Sequence, residues 1–186
     1  MKDHPLYRKN ILVGVSGSIA AYKSCEIVRQ LKKRESDVRV VMSKSACEFV
    51  GPLTFQTLSQ NKVMTDMFGE QDEWVPEHIS IANWADALLI APATANILGK
   101  ARCGVADDLL STTILSVKCP IIFAPAMNEK MYDNSVVLEN IENLKMRGNF
   151  FIGPEKGFLA EGYSGKGRLA KIEAIVDFIS SVIEEK

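Results

Sequence analysis

Apolar positions in this chain alternate between short continuous runs and longer stretches at helical spacing. The run Asn10–Val15 (NILVGV) ends in Ser16-Gly17-Ser18 and reads as a strand followed by a turn. Over residues 19–33, Ile19, Tyr22, Ile27, Val28 and Leu31 recur at the spacing of an amphipathic helix. Residues 38–42 predict a second strand and residues 63–68 a weaker third. Residues 87–91 (ALLIA) and 120–124 (PIIFA) are apolar throughout, as expected of central strands covered on both faces. Residues 149–152 predict the last strand, and 94–102, 106–117, 135–147 and 171–185 predict helices.

This alternation implies a three-layer, Rossmann-like α/β fold: a mostly parallel six-stranded sheet with helices on both faces. Right-handed crossovers gather the loops that follow the strands along one edge, where such folds bind ligands. Four loops meet that description: 16–18, 42–45, 92–96 and 125–131. With no internal repeat, low-complexity tract or linker, residues 1–186 read as a single domain.

Composition narrows the partners. A 47% hydrophobic content with 24% charged residues is ordinary for a soluble protein. The net charge of -1, with no basic block, argues against nucleic-acid and membrane surfaces. The polar first ten residues lack the apolar core of a secretion signal, so a cytoplasmic protein is expected. Four cysteines without a C-x-x-C pair, and only two histidines, predict neither disulfides nor a metal site.

The loop after the first strand suits an anion. Gly17 permits close backbone approach, and the N–H groups opening the next helix favour negative charge. Ser18 can cap that helix or donate to a phosphate, and a simple tight turn is the competing reading. Ser43 and Ser45 add hydroxyls on the same edge. Because G-x-G-x-x-G is missing, a mononucleotide phosphate fits better than a dinucleotide.

Three further segments carry a resemblance. Residues 17–23 (GSIAAYK), 92–97 (PATANI) and 125–132 (PAMNEKMY) occur in that order, with His78 in the segment HISI and a glycine-rich stretch at 160–169 (AEGYSGKGRL). Together they resemble the flavin loop, the Pro-Ala-Ser-Ala-Asn-Thr motif, the Pro-x-Met-Asn-x-x-Met-Trp motif and the substrate lid of phosphopantothenoylcysteine decarboxylases. The resemblance implies FMN in a homotrimer or an assembly of trimers. It implies that Gly17, Ser18 and Ser43 serve the flavin phosphate, with Ile19 of the same loop also assigned to the cofactor. Ala93, Thr94 and Asn96 would address the ring, with Asp107 helping to position this region.

The implied reaction is decarboxylation of 4′-phosphopantothenoylcysteine to 4′-phosphopantetheine in coenzyme A biosynthesis. It proceeds through oxidation of the thiol to a thioaldehyde, loss of CO2 and reduction of the ene-thiol, with FMN holding the electrons. On that reading His78 is the base or orienting group, and Asn128 hydrogen-bonds the substrate carboxylate or amide, although it could instead cap the following helix. Met131, Ala160, Lys166 and Arg168 would contact the phosphorylated cysteinyl substrate, beneath a flexible lid at about 155–170. A phosphopantothenate–cysteine ligase, as a separate protein or as the other part of a split system, would make that substrate.

One position departs from the pattern. Glu161 stands where the lid carries cysteine, and a glutamate can replace the thiol as proton donor only with a raised pKa. Two alternatives follow: an oxidative peptidyl-cysteine decarboxylase that releases the ene-thiol, or a non-catalytic flavin-binding regulator.

Overall fold

The strands β1 (Asn10–Val15), β2 (Asp37–Met42), β3 (Val63–Met64), β4 (Ala87–Ala93), β5 (Ile121–Pro125) and β6 (Phe150–Phe151) form one sheet in the order β3-β2-β1-β4-β5-β6. Every pairing in it is parallel. The computed structural model describes residues 4–67, 77–160 and 162–185. The order reverses between β1 and β4, the place where doubly wound sheets open a crevice.

The helices are α1 (Ala21–Lys33), α2 (Lys44–Cys47), α3 (Pro52–Ser59), α4 (Glu77–Trp84), α5 (Ala95–Cys103), α6 (Leu109–Ser116), α7 (Glu129–Tyr132), α8 (Ser135–Met146) and α9 (Ile172–Glu184). Strand alternation sorts them into two layers. Ile11, Val13 and Val15 of β1, with Leu89 and Ala91 of β4, pack against α1, α3 and α9. Leu12, Leu88 and Ile90 face the other way, against α5, α6 and α8. All eight side chains are fully buried, and each buried Val, Leu or Ile contributes roughly 1.5–3 kcal/mol.

Three expectations change. The third strand is shorter, ending at Met64, and Phe68 lies outside the described residues. Helices α3 and α4 lie in stretches given no helix by periodicity: α3 buries only Phe55 and Ser59, too few contacts for a repeat. The strand at Phe150–Phe151 is not the last. The segment read as a flexible lid contains an antiparallel hairpin, β7 (Glu155–Phe158) with β8 (Ser164–Arg168). Gly157 and Gly165 pair in its ladder and Gly167 falls at its register shift, and glycines give no β-propensity signal. Among the described residues, no helix is long and apolar enough to cross a membrane.

Candidate functional site

At the reversal point the chain leaves β1 toward one helical layer and β4 toward the other, and a cleft of about 800 Å³ opens between them. Ser16 fastens its two sides together. Its buried hydroxyl donates to the Pro92 carbonyl at 2.7 Å and accepts from the Thr94 N–H at 3.1 Å, with the Thr94 hydroxyl also 3.1 Å away. The next residue must be glycine, because a Cβ on Gly17 would overlap Cβ of Ser45 and lie 3.0 Å from its carbonyl carbon. The loops after β1 and β2 thereby close on each other.

Gly17, Ser18 and Ser43 all line this cleft, and Lys44 and Ser45 join them. The Ser43 hydroxyl caps α2 by accepting from the Ala46 N–H at 3.2 Å, and Ser18 accepts from the Ala20 N–H at 3.2 Å. A hydroxyl that accepts one bond keeps its proton to donate, so capping and anion binding are compatible here.

Thr94 and Asn96 line the opposite wall, where the Thr94 hydroxyl caps α5 by accepting from the Ile97 N–H. Ala93 does not line it. It is fully buried as the last residue of β4, and its carbonyl accepts from the Ala126 N–H at 3.2 Å, which ties β4 to the loop after β5.

The floor carries a charge cluster that sequence spacing did not reveal. Lys100 places its ammonium 2.6 Å from both Asp107 and Asp108, and all three line the cleft. Asp108 also closes a capping box with Ser111 at the start of α6. Burial alone would raise the Asp108 pKa, but Lys100 and the Ser111 donors outweigh it and hold the carboxylate below its usual range. Burial likewise works against the Lys100 ammonium, and the two carboxylates override it to raise its pKa. The three residues lie on α5 and the following turn, seven and eight positions apart, so only the fold brings them together.

Asn128 and Met131 enter the same cleft from the loop after β5 and from α7. Asn128 does cap the helix: its carbonyl oxygen accepts from the Lys130 N–H at 2.9 Å. Its amide nitrogen meanwhile donates to the Tyr163 hydroxyl at 3.3 Å, so the side chain is held at both ends. The hairpin docks on this same segment. The Met127 N–H donates to the Gly167 carbonyl at 3.0 Å, and the Lys166 N–H donates to the Glu129 carboxylate at 2.8 Å. Gly167 has a φ of 147° and a Cβ there would overlap the Met127 carbonyl oxygen, so glycine is required at this contact.

A second cavity of about 400 Å³ lies between the start of α1 and the hairpin, and shares Ser18, Ala126, Met127 and Asn128 with the cleft. Ala160 and Arg168 line it, as does Ile19, which the sequence reading assigned to the cofactor and which does not line the cleft. Lys166 lines neither space; its ammonium lies 4.8 Å from the centre of the Tyr132 ring. His78 sits near the start of α4, half-buried, and also lines neither. Glu161 lies outside the described residues. Lys23 of α1, to which the sequence reading gave no role, lines the second cavity.

A family model described as flavoprotein matches residues 2–184. The coenzyme A biosynthesis bifunctional protein CoaBC of Bacillus subtilis is 50% identical over 171 residues, which cover 92% of this chain and 42% of that protein. The chain thus spans less than half the length of this curated relative. Among solved structures, the FMN-dependent cysteine decarboxylase SpaF superposes with a TM-score of 0.85 at 30% identity, covering 97% of this chain and 98% of that one. A PPC decarboxylase mutant complexed with pantothenoylaminoethenethiol gives a TM-score of 0.85 at 30% identity, covering 96% of this chain and all of that one (100%).

Proposed function

This chain belongs to the flavoprotein family, together with the cysteine decarboxylases it resembles, and on that premise we propose that it is an FMN-dependent carboxy-lyase. The substrate is 4′-phosphopantothenoylcysteine and the product 4′-phosphopantetheine, in coenzyme A biosynthesis. One observation carries the reading. The hydroxyl-bearing loops after β1 and β2 and the Asn128 segment open onto a single cleft at the sheet's reversal point.

The residues present suit FMN. A cleft of about 800 Å³ is within the range of small-molecule sites, and Ser18, Ser43 and Ser45 beside Lys44 form a donor set for one phosphate. Thr94 and Asn96 stand across from them, where the ring system would lie. When bound, FMN would supply a two-electron acceptor for the carbon bearing sulfur, so that the carboxylate on the neighbouring carbon can leave, and could later return the pair. The protein's part is orientation and proton control. Asn128, fixed by the Lys130 N–H and the Tyr163 hydroxyl, presents an amide to the substrate carboxylate. Met131 and Ala160 shape the walls around it.

His78 remains the proton-handling candidate, acting in a homotrimer, or an assembly of trimers, in which it serves a neighbouring copy. Residues 1–186 act as one flavoprotein domain in the cytoplasm, with a phosphopantothenate–cysteine ligase supplying the substrate.

Anaerobic turnover of FMN-loaded protein with 4′-phosphopantothenoylcysteine tests this, with CO2, flavin colour, product mass and sedimentation followed on one preparation. We expect 4′-phosphopantetheine, reoxidised flavin and a particle that is a multiple of three chains. That outcome makes Glu161, in its neutral form, the leading proton donor. CO2 with reduced flavin and an ene-thiol would replace the full reaction by its oxidative half. No reaction with FMN bound would overturn the assignment.

A further inference from the structure

The second cavity differs from the cleft in its charge. Beyond the residues it shares with the cleft, its lining is largely apolar, with Ile19, Tyr22, Phe158 and Leu169 prominent. Two cations interrupt this surface: Lys23 from α1 and Arg168 from β8. Among the described residues, neither is paired with a carboxylate. The Lys23 ammonium lies 5.9 Å from the Tyr22 ring centre, and the Arg168 guanidinium runs beside Gly157, where an added Cβ would sit 3.1 Å from Nη1. Burial lowers the Lys23 pKa and the Arg168 charge lowers it further, with only Glu155 acting in the other direction. Glu155, the cross-strand partner of Arg168, also accepts from the Lys171 N–H at 3.0 Å; its single charge offsets one of the two cations and leaves the cavity net positive. Two like charges drawn together over an apolar wall are unfavourable on their own, and a bound anion reverses the sign.

The substrate of the proposed reaction has two anionic ends, and the chemistry assigns them differently. The carboxylate must leave. Pairing it with cations would stabilise the ground state more than the transition state, in which its charge disperses, and so would slow its loss. A neutral amide suits that end, and Asn128 stands where the cavity and the cleft meet. The phosphomonoester does not react. Strong binding there can hold the reacting end in place without opposing the chemistry. A guanidinium fork with a mobile ammonium is a donor pair suited to a phosphate dianion.

We propose that Lys23 and Arg168 form the subsite for the phosphomonoester end of the substrate, and that this subsite sets the preference for a phosphorylated small molecule over an unphosphorylated or peptidyl cysteine. This inference rests on the decarboxylase reading above and adds residues and a specificity to it.

Calorimetry with FMN-loaded protein tests it without turnover, using 4′-phosphopantothenate and pantothenate, which carry no cysteine. The wild type is expected to bind the phosphorylated compound about 10- to 100-fold more tightly, the range for one or two hydrogen bonds to a charged group. In Lys23→Met, which keeps much of the aliphatic stem, the ratio should fall to within about threefold, and Lys23→Arg should restore most of it. Arg168→Gln provides a second test on a different element, and the flavin spectrum confirms folding of each. The same ratio, read as kcat/KM for phosphorylated and unphosphorylated pantothenoylcysteine, should collapse in parallel. A wild type that does not discriminate, or variants that keep the full ratio, would overturn the subsite. Discrimination in binding with no turnover of either cysteine compound would uphold the subsite and sink the decarboxylase reading instead.

Discussion

Asn128→Asp is expected to lower kcat/KM by about 10²- to 10⁴-fold while the protein keeps its fold. The substitution is chosen because aspartate caps helices as well as asparagine does. The oxygen that accepts from the Lys130 N–H survives, so α7 stays in place. What changes is the nitrogen now facing the Tyr163 hydroxyl and the cleft, which becomes a second carboxylate oxygen. A like charge set against the substrate carboxylate costs several kcal/mol, the origin of the expected range. Steady-state kinetics, with flavin content and thermal melting as controls, check it. Activity within tenfold of wild type would mean that Asn128 is only a cap.

Gly17→Ala is expected to weaken FMN binding by about 10- to 100-fold, corresponding to roughly 1–3 kcal/mol of overpacking. The added methyl has no room: Ser45 presents its Cβ and its carbonyl on that side, and two loops, not one side chain, would have to move. Those loops bring the cleft's hydroxyls together, so their separation reads directly in flavin affinity. Fluorescence titration of the apoprotein measures it. Gly51→Ala is the matched control, because a Cβ on Gly51 meets nothing within 4 Å. Equal affinities for the two variants would remove the loop contact from the account of FMN binding.

The parallel sheet was legible because β4 and β5 bury nearly all of their residues, and full burial writes itself as an unbroken apolar run. The edge at which ligands bind followed from the order of strands and loops. Ser16-Gly17-Ser18 signalled a turn, but not that Ser16 would bind across to Pro92 and Thr94, seventy-six and seventy-eight positions away. Lys100 was hidden for a similar reason: its carboxylates come from the turn after its helix, outside any spacing rule for one element. The hairpin escaped because two of the five residues of β8 are glycine, and the bonds that dock it on Met127 and Glu129 join segments distant in sequence. Lys23 ends the 17–23 segment without a role of its own in the sequence, and only the folded hairpin gives it Arg168 as a neighbour. Motif resemblance placed Ala93 with the cofactor, whereas the residue's burial gives it a backbone role.

The Ser16 hydroxyl has a meaning for anyone who would redesign this protein. It closes a link between the end of β1 and the loop after β4, and its loss would strand the Pro92 carbonyl and the Thr94 N–H, at roughly 1–3 kcal/mol for each group left without a partner. The two walls of the cleft are therefore one inherited part. A library that varies residues 16–18 while holding 92–96 constant samples mostly broken joints, and grafting either loop into another scaffold requires carrying the other with it.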